Sequence, residues 1–233
     1  AQLCMSRSSI LHNCSPQKLQ VSLALASGGN LRIFILIAAL FISCSVYSED
    51  ENNKYLVFIG SEISMSPVEP KEDEIPFDSQ FLAKYRVLEV YRGAYTSKEI
   101  EFTVFDHYGA PPFSKYAHVL LYLEKHEGRY YHSKYQYTPL YRAKNGKWAG
   151  AYPTYDYTHS YNENTKITPE IIEFVEPVIV DISEYEKEDV KRWFPEPYYR
   201  IKRKKAIADY GNYIDELFKL KQNGVLKARG DFQ

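Results

Sequence analysis

The chain has 233 residues, of which 45% are hydrophobic and 25% charged, a globular composition that excludes wholesale disorder. Lysine plus arginine number 29 against 30 aspartate plus glutamate, so the basic excess of a typical nucleic-acid binder is missing. The three cysteines, Cys4, Cys14 and Cys44, all lie near the N-terminus, which leaves everything beyond Cys44 without a disulfide or a thiolate metal site.

No acidic residue precedes Glu49. Arg32 is followed by an apolar run of 14 residues, Ile33–Val46. A membrane span needs roughly 20, so this run is short. A basic residue, a short apolar run and Val46 and Ser48 before a polar start describe a secretory signal. Residues 1–48 therefore read as an upstream segment and signal peptide, with cleavage after Ser48. The expected destination is the periplasm, the cell envelope or the extracellular space. "FISC", ending at Cys44, resembles the bacterial lipoprotein box and makes Cys44 a candidate lipidation site. An anchored form would reach the membrane through that lipid or through an uncleaved signal. Leu31 directly before Arg32 suits an alternative start codon, so residues 1–30 are expected to be upstream sequence.

Residues 49–148 read as β-structure. Tyr55–Met65 is rich in apolar and β-branched residues, and Pro67–Asp78 is a loop by composition. Phe81–Gly93 alternates, with Tyr85, Val87, Glu89 and Tyr91 on one side and Lys84, Arg86, Leu88 and Val90 on the other. Lys98–Gly109 places Ile100, Phe102 and Val104 on one face and Glu99, Glu101 and Thr103 on the other, a period of two. Ala110–Phe113 breaks the chain. Ala117–Gly128 is a further strand ending at a Glu127-Gly128 turn, and Arg129–Tyr137 pairs back as a hairpin. Asn145-Gly146 is a strong hairpin signal. Several strands with short turns predict an antiparallel sheet or a small closed barrel.

Residues 149–166 are polar and rich in tyrosine, without a period, and read as an ordered loop. Residues 167–233 read as a helical extension. Thr168-Pro169 opens a first helix that stops at Pro177. Ser183–Glu186 fits a capping box leading to a helix towards Phe194. The last helix is expected over Tyr198–Gln222, where Ile207, Tyr210, Ile214, Leu217 and Leu220 step by three or four.

The β half resembles the tissue-inhibitor-of-metalloproteinases-like family, the netrin-like domains. The anchors are Val57–Gly60, "YRVLEVYRG" at Tyr85–Gly93, Ile100–Phe105, "PPF" at Pro111–Phe113 before His118–Leu123, and Gly128–Leu140 as the closing hairpin. The resemblance covers Tyr55–Leu140 and implies an OB-fold barrel. The overall fold class is thus mainly β with α: an antiparallel OB-like barrel followed by a C-terminal helical extension. Two departures matter. The cysteine pair that many relatives carry near the "HYGAPP" turn and near Tyr135 is absent here, both members together. The inhibitors proper chelate a protease zinc through an N-terminal cysteine, whereas this mature chain would begin at Glu49, so that mechanism is not carried over.

Candidate chemistry is sparse. His118 and His126 lie about 26 Å apart on one strand. His126 and His132 flank the Gly128 turn and, with Glu124, form a weak metal-ligand set. Asp106-His107 has no nucleophile fixed beside it. G-x-S-x-G, H-E-x-x-H and a phosphate loop are all missing from the sequence. No cofactor and no catalytic residue are expected. Arg200–Lys205 carries five basic residues in six and reads as a solvated helix start. The tyrosines are the distinctive feature: Tyr131, Tyr135 and Tyr137 would share a strand face, and Tyr155 and Tyr157 follow in the loop. Such faces stack on sugars, bases or peptide side chains. The expected function is an exported, non-catalytic binding module for an envelope protein or a glycan. The alternatives are a metal-dependent or hydrolytic enzyme built on the hairpin histidines, or a protease inhibitor that dispenses with the N-terminal cysteine.

Overall fold

A computed structural model describes residues 54–73 and 75–231. The expected signal, the cleavage point and Cys44 lie outside the described residues. Five long strands come first: β1 (Tyr55–Val68), β2 (Ser79–Arg92), β3 (Glu99–Asp106), β4 (Val119–His126) and β5 (Arg129–Pro139). They close into a ring in the order β1-β2-β3-β5-β4, with β4 bonded back to β1. All pairings are antiparallel except β3 with β5, which is parallel at Thr103 and Tyr131.

The ring follows from the side-chain pattern. Ile100, Phe102 and Val104 of β3 point inward as their alternation predicts. Phe58 and Tyr85 meet Phe102 at the centre, with ring centroids of Tyr85 and Phe102 5.4 Å apart, and Phe113 packs on Tyr85. Each such aromatic pair adds roughly 0.5–1.5 kcal/mol beyond its buried area. β1 and β4 do not alternate in burial because both of their faces are covered. Leu56 and Phe58 face the ring interior, while Val57 and Ile59 face outward into a second core with Leu120 and Tyr122.

β2 departs from its expected alternation. The β1–β2 register slips so that Tyr91 and Leu88 are extra residues on β2. Each bulge flips the faces that follow. Val87 and Val90 consequently both pack on the inner core, and Tyr91 turns outward against Phe218. Gly93 follows β2 at φ +89°, and a Cβ there would collide with the Tyr55 carbonyl oxygen. Only glycine meets both conditions.

The rest of the chain is not a helical extension in the expected form. β6 (Tyr141–Arg142), β7 (Trp148–Ala151), β8 (Glu170–Ile171) and β12 (Tyr210–Tyr213) form one small sheet, and β9 (Ile179–Asp181), β10 (Tyr199–Lys202) and β11 (Lys205–Ala208) form another. The Asn145-Gly146 turn joins β6 to β7 as predicted, with Gly146 at φ +80°. The α-helices of the described residues are short: α1 (Thr154–Tyr157), α2 (Lys187–Trp193), α3 (Ile214–Lys221) and a final single turn, α4 (Lys227–Arg229). A wide turn, Gln222–Leu226, follows α3 and holds the Asn223-Gly224 stop. Among the described residues no helix is long and apolar enough to cross a membrane.

Three expected helices therefore change. Around Thr168–Glu176 the backbone is extended, and Ile172 and Phe174 are buried while their neighbours are exposed. That is a period of two, and it outweighs the capping signal. The helix expected from Ser183 begins at Lys187, because the Ser183 amide donates to Asp181 instead. The long final helix shrinks to α3. Its first half is the β10–β11 hairpin, closed by Arg203 and Lys204 at φ +48° and +59°. The basic run Arg200–Lys205 is thus a hairpin rather than a helix start. Within it Arg200 makes a two-pronged pair with Asp209.

Candidate functional site

α3 packs Leu217 and Phe218 against the outer faces of β1 and β4. Its acidic first turn (Asp215, Glu216) and basic last turn (Lys219, Lys221) match the helix dipole. This orientation carries Lys221 beneath α1. There its ammonium lies 3.3 Å from an Asp156 carboxylate oxygen, with both side chains over nine-tenths buried. The Asn162 amide fixes the pair's geometry by donating to the Asp156 and Leu220 carbonyls, each at 2.8 Å.

Above this pair is a cavity of ≈ 520 Å³. That is within the size range of small-molecule sites, roughly 300–1,000 Å³. Tyr116, Tyr137 of β5, Tyr141 of β6, Tyr152, Tyr155 and Tyr199 all contribute to its lining. Trp193 at the end of α2 borders it, tied to α1 by Thr154 Oγ1 donating to the Trp193 carbonyl at 2.8 Å. Lys115 and Asp181 also line it. Tyr152 is clamped between Tyr198, at 3.8 Å, and Tyr157, at 4.9 Å, in a three-ring stack. The Tyr199 hydroxyl donates to the Tyr152 carbonyl. Burial pushes the Tyr137, Tyr141 and Tyr152 phenols up to about 12, and neighbouring phenols push the same way. They stand as neutral hydroxyls at physiological pH. Those of Tyr137 and Tyr141 find no protein acceptor among the described residues.

The structure divides the tyrosines chosen from sequence. Tyr137 and Tyr155 line the cavity. Tyr157 stands one layer behind, stacked on Tyr152 and donating to Asn212. Tyr131 and Tyr135 are elsewhere. β5 bulges between His132 and Tyr137, where five residues advance against two on β4. Tyr131 consequently pairs with Glu124 on the outside, while Tyr137 pairs with Leu121 of the inner core. Tyr135, inside the bulge at φ +66°, meets Tyr108. The shared face expected for Tyr131, Tyr135 and Tyr137 does not form.

The candidate metal set does not converge either. His132 is buried in the ring, 4.6 Å from Phe113, with Nε2 donating to the Gln136 carbonyl at 2.8 Å. His126 is exposed beside Glu127, and Glu124 pairs with Lys54. Among the described residues no cluster of three or more metal-ligating side chains occurs. Asp106 accepts from the Tyr108 amide, and His107 stacks on Phe77. Ser114 donates to the Pro111 carbonyl.

Lys221, Asp156, Trp193 and Tyr199 were not legible as site residues. Asp156 is the lone aspartate of the tyrosine-rich loop, which is a weak signal. Lys221 looks like any basic residue at a helix end. Compared with known proteins, the chain matches no family model, no curated protein and no solved structure.

Proposed function

We propose that this chain is an exported, non-catalytic binding protein built on an OB-like, netrin-like barrel, and that it takes its ligand in the tyrosine-walled cavity. The strand order β1-β2-β3-β5-β4 with one parallel pairing supports the OB-like reading. So do the glycine anchors of the resemblance. A Cβ at Gly60 would stand 2.7 Å from the Phe58 ring, and Gly93 has been accounted for above. The absent cysteine pair is compatible with that reading, because an aromatic interior closes the ring on its own.

One observation carries the binding reading. A buried ion pair, Lys221 with Asp156, lines a concave surface to which six tyrosines contribute. Desolvating two charges costs several kcal/mol per ion, and a single 3.3 Å contact does not recover it. A polar ligand would supply the missing hydrogen bonds. The test of the binding reading is Ile179→Trp, at an exposed position on the cavity rim. It should leave the fold unchanged and weaken retention of the ligand; unchanged retention would overturn the site assignment. Export is tested by mass spectrometry of the mature N-terminus, expected at Glu49 or at an acylated Cys44.

A further inference from the structure

We propose that the ligand of this cavity is a neutral saccharide of one or two rings, held by Asp156 and Lys221 through adjacent hydroxyls and packed on the tyrosine faces. The inference rests on the binding reading above and names its ligand class.

Charge comes first. Lys115 and Lys221 are balanced by Asp156 and Asp181 among the lining side chains. An anionic ligand would meet two carboxylates and a cationic one two ammonium groups, so neither sign is favoured. Polarity comes second. An apolar ligand would leave the buried ammonium and carboxylate with only each other, at 3.3 Å. The carboxylate only accepts and the ammonium only donates. A hydroxyl does both, and two neighbouring hydroxyls can bridge such a pair with charge-assisted bonds. The phenols of Tyr137 and Tyr141 add to the same capacity, since each can donate or accept and neither hydroxyl is hydrogen-bonded among the described residues. Shape comes third. A pyranose offers an apolar C–H face opposite its hydroxyl edge. The rings of Tyr116, Tyr137, Tyr152 and Tyr199 offer the complementary apolar surface around a polar floor.

The site also has a built-in reporter. The chain has two tryptophans, Trp148 and Trp193, and Trp193 borders the cavity while Trp148 is buried in the outer core. A bound sugar should perturb Trp193 emission.

The experiment titrates the full chain with cellobiose, maltose and N,N′-diacetylchitobiose, followed by calorimetry and by Trp193 fluorescence. Benzoate, phosphate and tetra-alanine serve as competing classes. The expected result is single-site binding of at least one disaccharide. Tyr141→Phe should weaken it roughly five- to tenfold, the worth of one hydrogen bond, with no loss of stability. The double variant Lys221→Met/Asp156→Leu should fold as well as the parent, because apolar replacement of a buried pair is commonly neutral or stabilising. It should lose disaccharide binding by roughly a hundredfold or more. Benzoate, phosphate or the peptide binding in place of every sugar would overturn the saccharide assignment and leave the cavity reading standing. Disaccharide binding that survives intact in the double variant, or no binding by any probe, would overturn both.

Discussion

Acidification should destabilise this protein through one side chain, His132. It is sealed inside the ring between Phe113 and Phe102, with 7% of its surface exposed. Its Nε2–H is committed to the Gln136 carbonyl, which fixes the neutral tautomer. Burial pushes the imidazole down to about 4, against the upward pull of that hydrogen bond, and the Arg229 charge adds to the depression. The unfolded chain binds a proton near pH 6.5. Between these values the unfolded state holds more protons than the folded one, so stability falls as pH drops from about 6.5 to about 4. Above about pH 7.5 the effect is absent. The gap corresponds to about 3 kcal/mol, a large share of a domain stability of roughly 5–15 kcal/mol. Urea unfolding at pH 7.5, 6.5, 5.5 and 4.5 measures it. Carboxylates titrate over the lower part of this range in any variant, so the comparison is with His132→Gln, which cannot titrate. That variant should be less stable at pH 7.5 for loss of packing, and its deficit should shrink by about 3 kcal/mol on approach to pH 4. Parallel pH profiles for the two proteins would refute the reasoning.

Other predictions follow from single contacts. Gly93→Ala should cost more than about 2 kcal/mol, because positive φ and the Tyr55 carbonyl act together; a change under 0.5 kcal/mol in urea unfolding would contradict it. Asp156→Asn removes the carboxylate partner of the Lys221 ammonium and should destabilise by about 3–5 kcal/mol, unlike the apolar double variant. Phe218→Ala should cost about 3–5 kcal/mol. A double-mutant cycle with Tyr122→Leu should return a coupling of roughly 0.5–1.5 kcal/mol from their stacked rings, 6.2 Å apart; strict additivity would argue against that stack.

The β half was legible because its signals are local. Strand β3 reads straight off its alternation, and the Glu127-Gly128 and Asn145-Gly146 turns lie where those dipeptides stand, with positive φ at Glu127, Gly128 and Gly146. What sequence hid in this half are the bulges. Nothing in "YRVLEVYRG" announces that Leu88 and Tyr91 are extra residues, since a bulge is set by the partner strand. The second half was misread for a different reason. Short strands such as Tyr199–Lys202 and Lys205–Ala208 show only two or three alternating positions, too few to outweigh a three-to-four spacing running through Ile207, Tyr210 and Ile214. That spacing is real only from Ile214 onward. The site was the least legible part. Lys221 and Asp156 are 65 residues apart in sequence, and neither is unusual until the fold buries both.

The continuous apolar runs "YLVFIG" and "HVLLYL" carry the last step. A ring strand that faced water would alternate; these do not, so something must cover their outer faces. The cover is α3, through Leu217 and Phe218, followed by Val225 and Leu226. The second half of the chain is therefore required by the first, because without it Val57, Ile59, Leu120 and Tyr122 would be exposed together. The same helix that closes this core ends at Lys221 and delivers it to the cavity floor. Core and cavity thus share one rigid element, and the buried ammonium is held by packing on its own helix rather than by a mobile loop. A ligand would meet a charge already in place, which lowers the ordering cost of binding.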